Sequence, residues 1–322
     1  MRQYLLARCG QSLVVILLMS FVIYGLIGLM PGDPIDILAS EDPTMTPEDV
    51  AALRALYHLD VPVYERYLNW LGRALTGELG YSRLFGQPVL DVLGPALVNT
   101  LVLMGTTFIV AIAIAIPVGV MAASKPRSVL DYGINLFAFA GISLPSFWLA
   151  LMLMTLLCVT LGWLPAGGTA PAGSSLLEQF RYMVLPMATI VILNVGSYSR
   201  FVRASMLEVL RKDYIRTARA KGAGQWRVIW RHGLRNGMIP VVTILALEFG
   251  SLFSGALIVE TIFSWPGMGK LIFDSIMGND FNLALTALLL ATVLTLLGNL
   301  LADICYAKLD PRIVIGEGGA AA

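Results

Sequence analysis

The chain has 322 residues, 57% of them hydrophobic and only 13% charged, with a mean hydropathy of +0.77. A soluble globular chain carries about 25% charged residues, so a membrane protein is expected, and a net charge of +1 gives no reason to expect nucleic acid as a partner. Cys9, Cys158 and Cys305 lie far apart with neither metal-ligand spacing nor a paired framework, which leaves them as small apolar packing residues.

A membrane span needs roughly 20 mostly apolar residues. The first expected span is 10–30. Arg2, Arg8 and the apolar run behind them imitate a signal peptide, but the run is long enough to cross and no small-x-small cleavage site precedes the acidic residues. It reads as a retained helix. Residues 31–97 follow as an extracytoplasmic helical segment with ten acids against four bases. MPGDP at 30–34 is a turn signature, and Thr46-Pro47-Glu48-Asp49 is a helix start: an N-cap, a proline at the first helical position and acids in the first turn. One helix to about His58 and a second from Pro62 to about Leu75 are expected. This segment is either a collar on which a substrate-delivery protein docks or a passive packing cap.

The second span, 98–123, is free of charge and carries Pro117, a candidate kink. The uncharged run 132–177 divides into a spanning helix, 132–161, and a turn-rich outer loop, GWLPAGGTAPAGSS. The fourth span, 182–199, contains Pro186 and continues as a polar helix to about 210; the fifth is 237–262 and the sixth 281–304. The expected fold class is an all-α integral membrane protein with six transmembrane helices. Its parts are 1–30, 31–97, a five-helix core 98–312 and a flexible tail 313–322. Of the 22 basic residues, sixteen fall on the side shared by the termini, the loop 124–131 and the segment 200–235, against six on the other side. By the positive-inside rule both termini are cytoplasmic.

The segment 200–236 carries most of that bias, with ten Lys/Arg and only Glu208 and Asp213 as acids between Arg200 and Arg235. It is more than a topology signal. Asp213 can cap a short helix to Lys221, Gly222 stands at its C′ position, and Gln225–Leu234 can form a second helix after Gly224. Tyr214, Ile215, Trp226, Ile229, Trp230 and Leu234 recur as bulky apolar residues, and Arg219, Arg227, Arg231 and Arg235 fall at intervals of eight or four, close to one helical face. Two short helices with bulky side chains and arginines suit a groove on a partner protein. The competing reading is an interfacial helix facing anionic lipid.

This segment resembles the cytoplasmic "EAA" loop of ABC importer permeases. Gly222 and Ala218 fall on that pattern, whereas Arg216 and Thr217 replace its first two residues, and of His232, Leu234 and Arg235 only the leucine fits. The departures match the dipeptide/oligopeptide/nickel branch, whose subunits read "DYxRTAxAKG…RHxLRNxxxP", as Asp213 to Pro240 does here. MPGDP (30–34), SLPSFWLALML (143–153), GWLPAGG (162–168), RASMLEVL (203–210), GALIVETIFSWPGMGKL (255–271) and DICYAKLDPRI (303–313) resemble the same branch in order. The resemblance implies the type I importer permease fold and a bacterial inner-membrane location. It implies three kinds of partner besides membrane lipid: a second homologous (C-type) permease, two ABC ATPase subunits and an extracytoplasmic substrate-binding protein. It also implies coupling to the ATPases through Asp213, Arg216, Ala218, Arg219, Lys221, Gly222, Trp226, Arg227, Arg231, His232 and Arg235. The substrate class it implies is di- or oligopeptide, with nickel chelate, glutathione and other small solutes as alternatives.

The residues agree that the energy source lies elsewhere. The nearest lookalike of a Walker A loop, Gly267-Met268-Gly269-Lys270-Leu271, lacks the first glycine and the Ser/Thr. No cofactor is expected in this chain, with ATP and Mg held by partner subunits. His58 and His232 are the only histidines and fall on opposite sides, so neither a His-based zinc site nor a serine-hydrolase triad is expected. Two carboxylates are candidates for the translocation path or a gate: Glu248, about 16 Å deep at 1.5 Å per residue, and Glu260, near the outer surface. For Glu248 a structural hydrogen bond to the second permease is the alternative; Asp303 with Asn299 reads as a packing pair. A proton-coupled carrier using Glu248 and Asp303 is the alternative of another class, disfavoured because no internal repeat is visible.

Overall fold

The computed structural model describes residues 2–29, 46–49, 61–251 and 256–309. The predicted turn at 30–34, most of the predicted helix ending near His58 and the tail 313–322 lie outside them. Within them the chain is helical, and its only β element is an isolated bridge between Tyr81 and Pro88. In chain order the elements are α1 (Arg2–Ile27), α2 (Val63–Leu75), α3 (Val89–Ser124), α4 (Val129–Ser143) and α5 (Ser146–Met154, widening into a π-turn Thr155–Thr160). There follow α6 (Leu176–Val209), α7 (Asp213–Ala220), α8 (Gln225–Arg227, a π-turn Val228–Gly233, then Leu234–Ser251), α9 (Leu257–Ile262), α10 (Met268–Met277) and α11 (Phe281–Leu309).

Among the described residues four helices are long and apolar enough to cross a membrane: Leu6–Ile27, Val89–Ser124, Leu176–Val209 and Phe281–Ile304. Six were expected, and the difference lies at two places. The third expected span is bent by 102° between α4 and α5 and makes a fifth only if the pair is one span. The cause is local: proline disfavours the helical conformation in the residue before it, and Leu144 and Pro145 are extended at φ −80° ψ 130° and φ −62° ψ 135°. The fifth expected span, 237–262, appears as α8 and α9 with residues 252–255 outside the description. Arg235, Asn236 and Glu248 lower the apolar content of Leu234–Ser251, which does not count among the four.

The described residues form two compact units. One comprises 2–97 and 271–294. In it Tyr67 and Trp70 of α2 bury against Ile23 and Ile27 of α1 and Ala284 and Leu285 of α11. Residues three apart share a helix face, so a short amphipathic helix presents both rings together. The Tyr67 hydroxyl shares a 2.7 Å hydrogen bond with Ser20. Asp280 is 2% exposed and ties the 81–88 turn to the start of α11, accepting from Ser82 Oγ (2.5 Å), Leu84 N–H (3.1 Å) and Leu283 N–H (3.2 Å). The fragment 46–49 carries the expected cap. Thr46 Oγ1 accepts from Asp49 N–H (3.2 Å), and Asp49 Oδ2 accepts from Thr46 N–H (3.0 Å). Hydrogen bonds from Thr46 hold the Asp49 carboxyl below its ordinary pKa.

The other unit comprises 98–270 with 295 onward. Its core joins α3, α6 and α8 through Leu103, Ala111, Val120, Met187, Val202 and Met206 among others. Glycines let helices approach closely. A Cβ added at Gly196 would lie 2.6 Å from the Ala138 carbonyl oxygen, and one at Gly141 would lie 2.8 Å from that of Ile192. Substitution there forces α4 and α6 apart.

Candidate functional site

The cationic segment is anchored rather than suspended. α6 runs unbroken through Arg200 and Arg203 to Val209, as its polar continuation predicted. Lys212 occupies the cap position and Asp213 the first turn of α7, so Asp213 opens the helix by its charge rather than by capping it. Gly222 ends the segment with φ +80°, a conformation that costs a Cβ-bearing residue about 1–2 kcal/mol. Nothing lies within 4 Å of a Cβ added there, so the requirement for glycine is purely conformational. Gly224 stands at the cap of α8.

The second helix departs from expectation. It does not end at Leu234 but runs through the π-turn Val228–Gly233 into Leu234–Ser251. The start of this surface and the rest of α8 are therefore one continuous helix. The break at 221–224 also puts Arg219 on a separate helix from Arg227, Arg231 and Arg235, so the four do not share one helical face.

Buried and exposed residues divide the segment cleanly. Ile215 (0% exposed), Val228 (0%) and Ile229 (7%) face inward, with α7 packed against the π-turn. Met206 of α6, fully buried, lies over the next turn: a Cβ at Gly237 would meet its sulfur at 2.7 Å, and one at Gly233 its terminal methyl at 3.1 Å. Ser205 Oγ donates to the Gly237 carbonyl at 2.6 Å. Trp230 and Leu234 pack on the same core, contrary to their reading as exposed anchors.

Of the candidate coupling residues, Asp213, Arg216, Arg219, Lys221, Gly222, Trp226, Arg227, Arg231 and Arg235 remain outside, with Ala218 and His232 half-buried. Trp226 is 74% exposed and rests on Trp230 with ring centroids 5.1 Å apart. The ion pairs Arg216–Asp213 (2.9 Å) and Lys212–Glu208 (2.8 Å) are solvent-facing and contribute little to stability. The result is a basic surface with two exposed aromatics, Tyr214 and Trp226, carried on a buried packing contact.

Sequence reasoning missed the close approach of Met206 to Gly233 and Gly237. The spacing Gly233-x3-Gly237 is the small-residue signature that marks close helix approach and was the available signal. It also missed Asp131, which is 2% exposed and accepts Arg203 Nε at 2.6 Å and Nη2 at 2.8 Å in a two-pronged pair. Arg127 N–H (2.9 Å) and Asn135 Nδ2 (2.8 Å) complete its shell.

The two candidate carboxylates are in opposite settings. Glu248 is exposed on α8. Glu260 is 0% exposed: Thr100 Oγ1 donates to its Oε1 (2.8 Å), Lys270 N–H donates to its Oε2 (3.1 Å), and Met268 N–H donates to Thr100 Oγ1 (2.7 Å). Gly267 and Gly269 leave the room this carboxylate occupies, since a Cβ on either would approach Oε2 to 2.5 and 2.9 Å. The same loop holds the turn-rich loop before α6, with Gly168 N–H donating to Phe263 O at 2.7 Å.

Residues 115–315 match the family described as "Binding-protein-dependent transport system inner membrane component", and 1–107 match its N-terminal companion. The chain belongs to this family. It is 38% identical over 316 residues to the oligopeptide transport system permease protein AppB of Bacillus subtilis (strain 168), covering 97% of this chain and 99% of that one. It is 36% identical over 336 residues to the dipeptide transport system permease protein DppB of Escherichia coli (strain K12), again 97% and 99%. The dipeptide permease DppB of Alkalihalophilus pseudofirmus is 34% identical over 333 residues at the same coverage. The cationic segment and the Glu260 loop both fall within the 115–315 match. The family resemblance carried by the short motifs thus extends over the whole chain. Membership makes the protein a multi-pass membrane subunit of a transport system.

Proposed function

We propose that this chain is the permease subunit of an ATP-driven importer of di- or oligopeptides, working by alternating access with a second homologous permease. Both termini and the 200–236 segment face the cytoplasm, where the Lys/Arg excess places them. Two ATPase subunits bind the exposed basic surface of α7 and the start of α8. A substrate-binding protein delivers peptide at the opposite face. The observation that carries this reading is the continuity of α8: the surface bearing Trp226, Arg227 and Arg231 is the first two turns of a helix that runs on through Glu248. Closure of the ATPases therefore moves a membrane helix without an intervening flexible joint. The near-full-length likeness to oligopeptide and dipeptide permeases supports peptide as the substrate class.

On this reading Glu248, exposed in the single chain, lines the path and attracts the amino terminus of a peptide. Glu260 supports a gate indirectly, by fixing the 263–270 loop from within. The test is coupling. Gly222→Asp and Arg231→Glu should each lower peptide uptake about tenfold or more while the protein still inserts and ATP hydrolysis by the assembled transporter continues. Normal uptake in both variants removes the coupling role.

A further inference from the structure

A cleft of about 430 Å³ opens between α4 and α6, lined by Asn135, Phe139, Ser197, Arg200, Phe201 and Ala204 with Arg203 at its edge. The Gly141/Gly196 crossing closes it at one end and the Asp131–Arg203 pair at the other. The two arginines differ. Arg203 is neutralised by a buried carboxylate. Arg200 is exposed, forms no ion pair among the described residues, and rests its guanidinium 4.6 Å above the Phe139 ring.

A basic side chain with no carboxylate partner in a cleft between membrane helices suits an anionic ligand. Phe139 and Phe201 are 53% and 45% exposed beside it, and Leu136 and Phe137 continue the apolar surface at 70% and 80%. Arg200 lies nine residues before the end of α6, about 13 Å at 1.5 Å per residue, where the apolar stretch 182–199 gives way to basic residues. A change from apolar to basic residues along a membrane helix marks the interface with the headgroups, and Phe139 and Leu136 lie beside the cleft.

We infer that this cleft binds the headgroup of an anionic phospholipid, with Arg200 on the phosphate, Ser197 donating a hydrogen bond and the exposed aromatic rings against the acyl chains. Basic pockets between membrane helices on the cytoplasmic side are suited to such headgroups. The cation–π contact presets the guanidinium toward the cleft, so little side-chain entropy is lost on binding. Because Arg200 lies on α6 and not on α7 or α8, the bound lipid would stiffen the α4–α6 pair and leave the motor contact untouched.

The experiment is native mass spectrometry of the protein, purified with the subunits that accompany it from its own membrane, after addition of phosphatidylglycerol or phosphatidylcholine. Wild type should retain phosphatidylglycerol preferentially. Arg200→Gln should weaken retention about fivefold, the factor for one basic residue at a lipid surface, and Phe139→Leu less, with phosphatidylcholine unaffected. Arg200→Lys should keep most of the preference, which separates charge from folding. Inorganic phosphate should compete poorly; full competition would mean a free-phosphate site and overturn the lipid assignment. Equal phosphatidylglycerol retention in wild type and Arg200→Gln overturns the proposal, as does crosslinking from Ala204→Cys to a neighbouring protein subunit instead of lipid.

Discussion

The α7–α8 surface and the Glu260 loop both place charge beside apolar helices, in opposite ways. In the first, six basic side chains stay outside while Ile215, Val228 and Ile229 are the parts that bury. In the second, the charge itself goes inside and the backbone of the loop is wrapped around it. A solvated charge is available to a partner and does little for the fold. A buried one is committed to internal hydrogen bonds and fixes local geometry. The contrast separates a contact surface from a structural lock, although both began as clusters of charge in a sequence.

The most disruptive single change should be Glu260→Ala. It leaves the Thr100 hydroxyl and the Lys270 N–H without their acceptor in a dry site, at a cost on the order of 3 kcal/mol. Thermal unfolding followed by tryptophan fluorescence should show a clear fall in midpoint, with Glu260→Gln intermediate because one acceptor oxygen remains. If stability is unchanged while uptake is lost, the carboxylate acts directly on substrate and the lock reading fails.

Next comes Gly196→Ala. The added methyl would stand 2.6 Å from a backbone oxygen of α4, which cannot move aside as a side chain can. Overpacking of this kind costs about 1–3 kcal/mol. The same unfolding measurement should register it, and an unchanged midpoint would show that α4 and α6 do not cross as tightly as described.

The two regions were unequally legible in the sequence. The Thr46–Asp49 cap, α2 from Pro62 onward and the run of α6 past 199 were readable because local rules decide them: a capping residue, an amphipathic period, an uninterrupted helix pattern. The bend at Leu144–Pro145 sat inside a stretch with no charge to mark it, and only the proline hinted at it. The buried half of the cationic segment was misread because periodicity does not say which face of a short helix another element will cover. Met206 over Gly233 and Gly237 decided that, from α6. The Asp131–Arg203 pair joins residues 72 apart, and no local pattern connects them.

The smallest effect on folding is expected at Trp226, and it discriminates best between the two kinds of region. Its ring is 74% exposed and its one stacking partner, Trp230, is held independently by the core. Trp226→Ala should therefore change stability by no more than about 0.5 kcal/mol, as surface substitutions usually do. Large aromatics at a protein interface, in contrast, are where binding energy concentrates, about 2 kcal/mol or more on truncation. If α7 and the start of α8 are the ATPase contact, the same substitution should weaken assembly with the ATPase subunits by roughly thirtyfold, read as loss of co-purified ATPase at equal permease yield. Unchanged assembly would make Trp226 a membrane-surface residue, and the basic side chains around it would then face lipid rather than a motor.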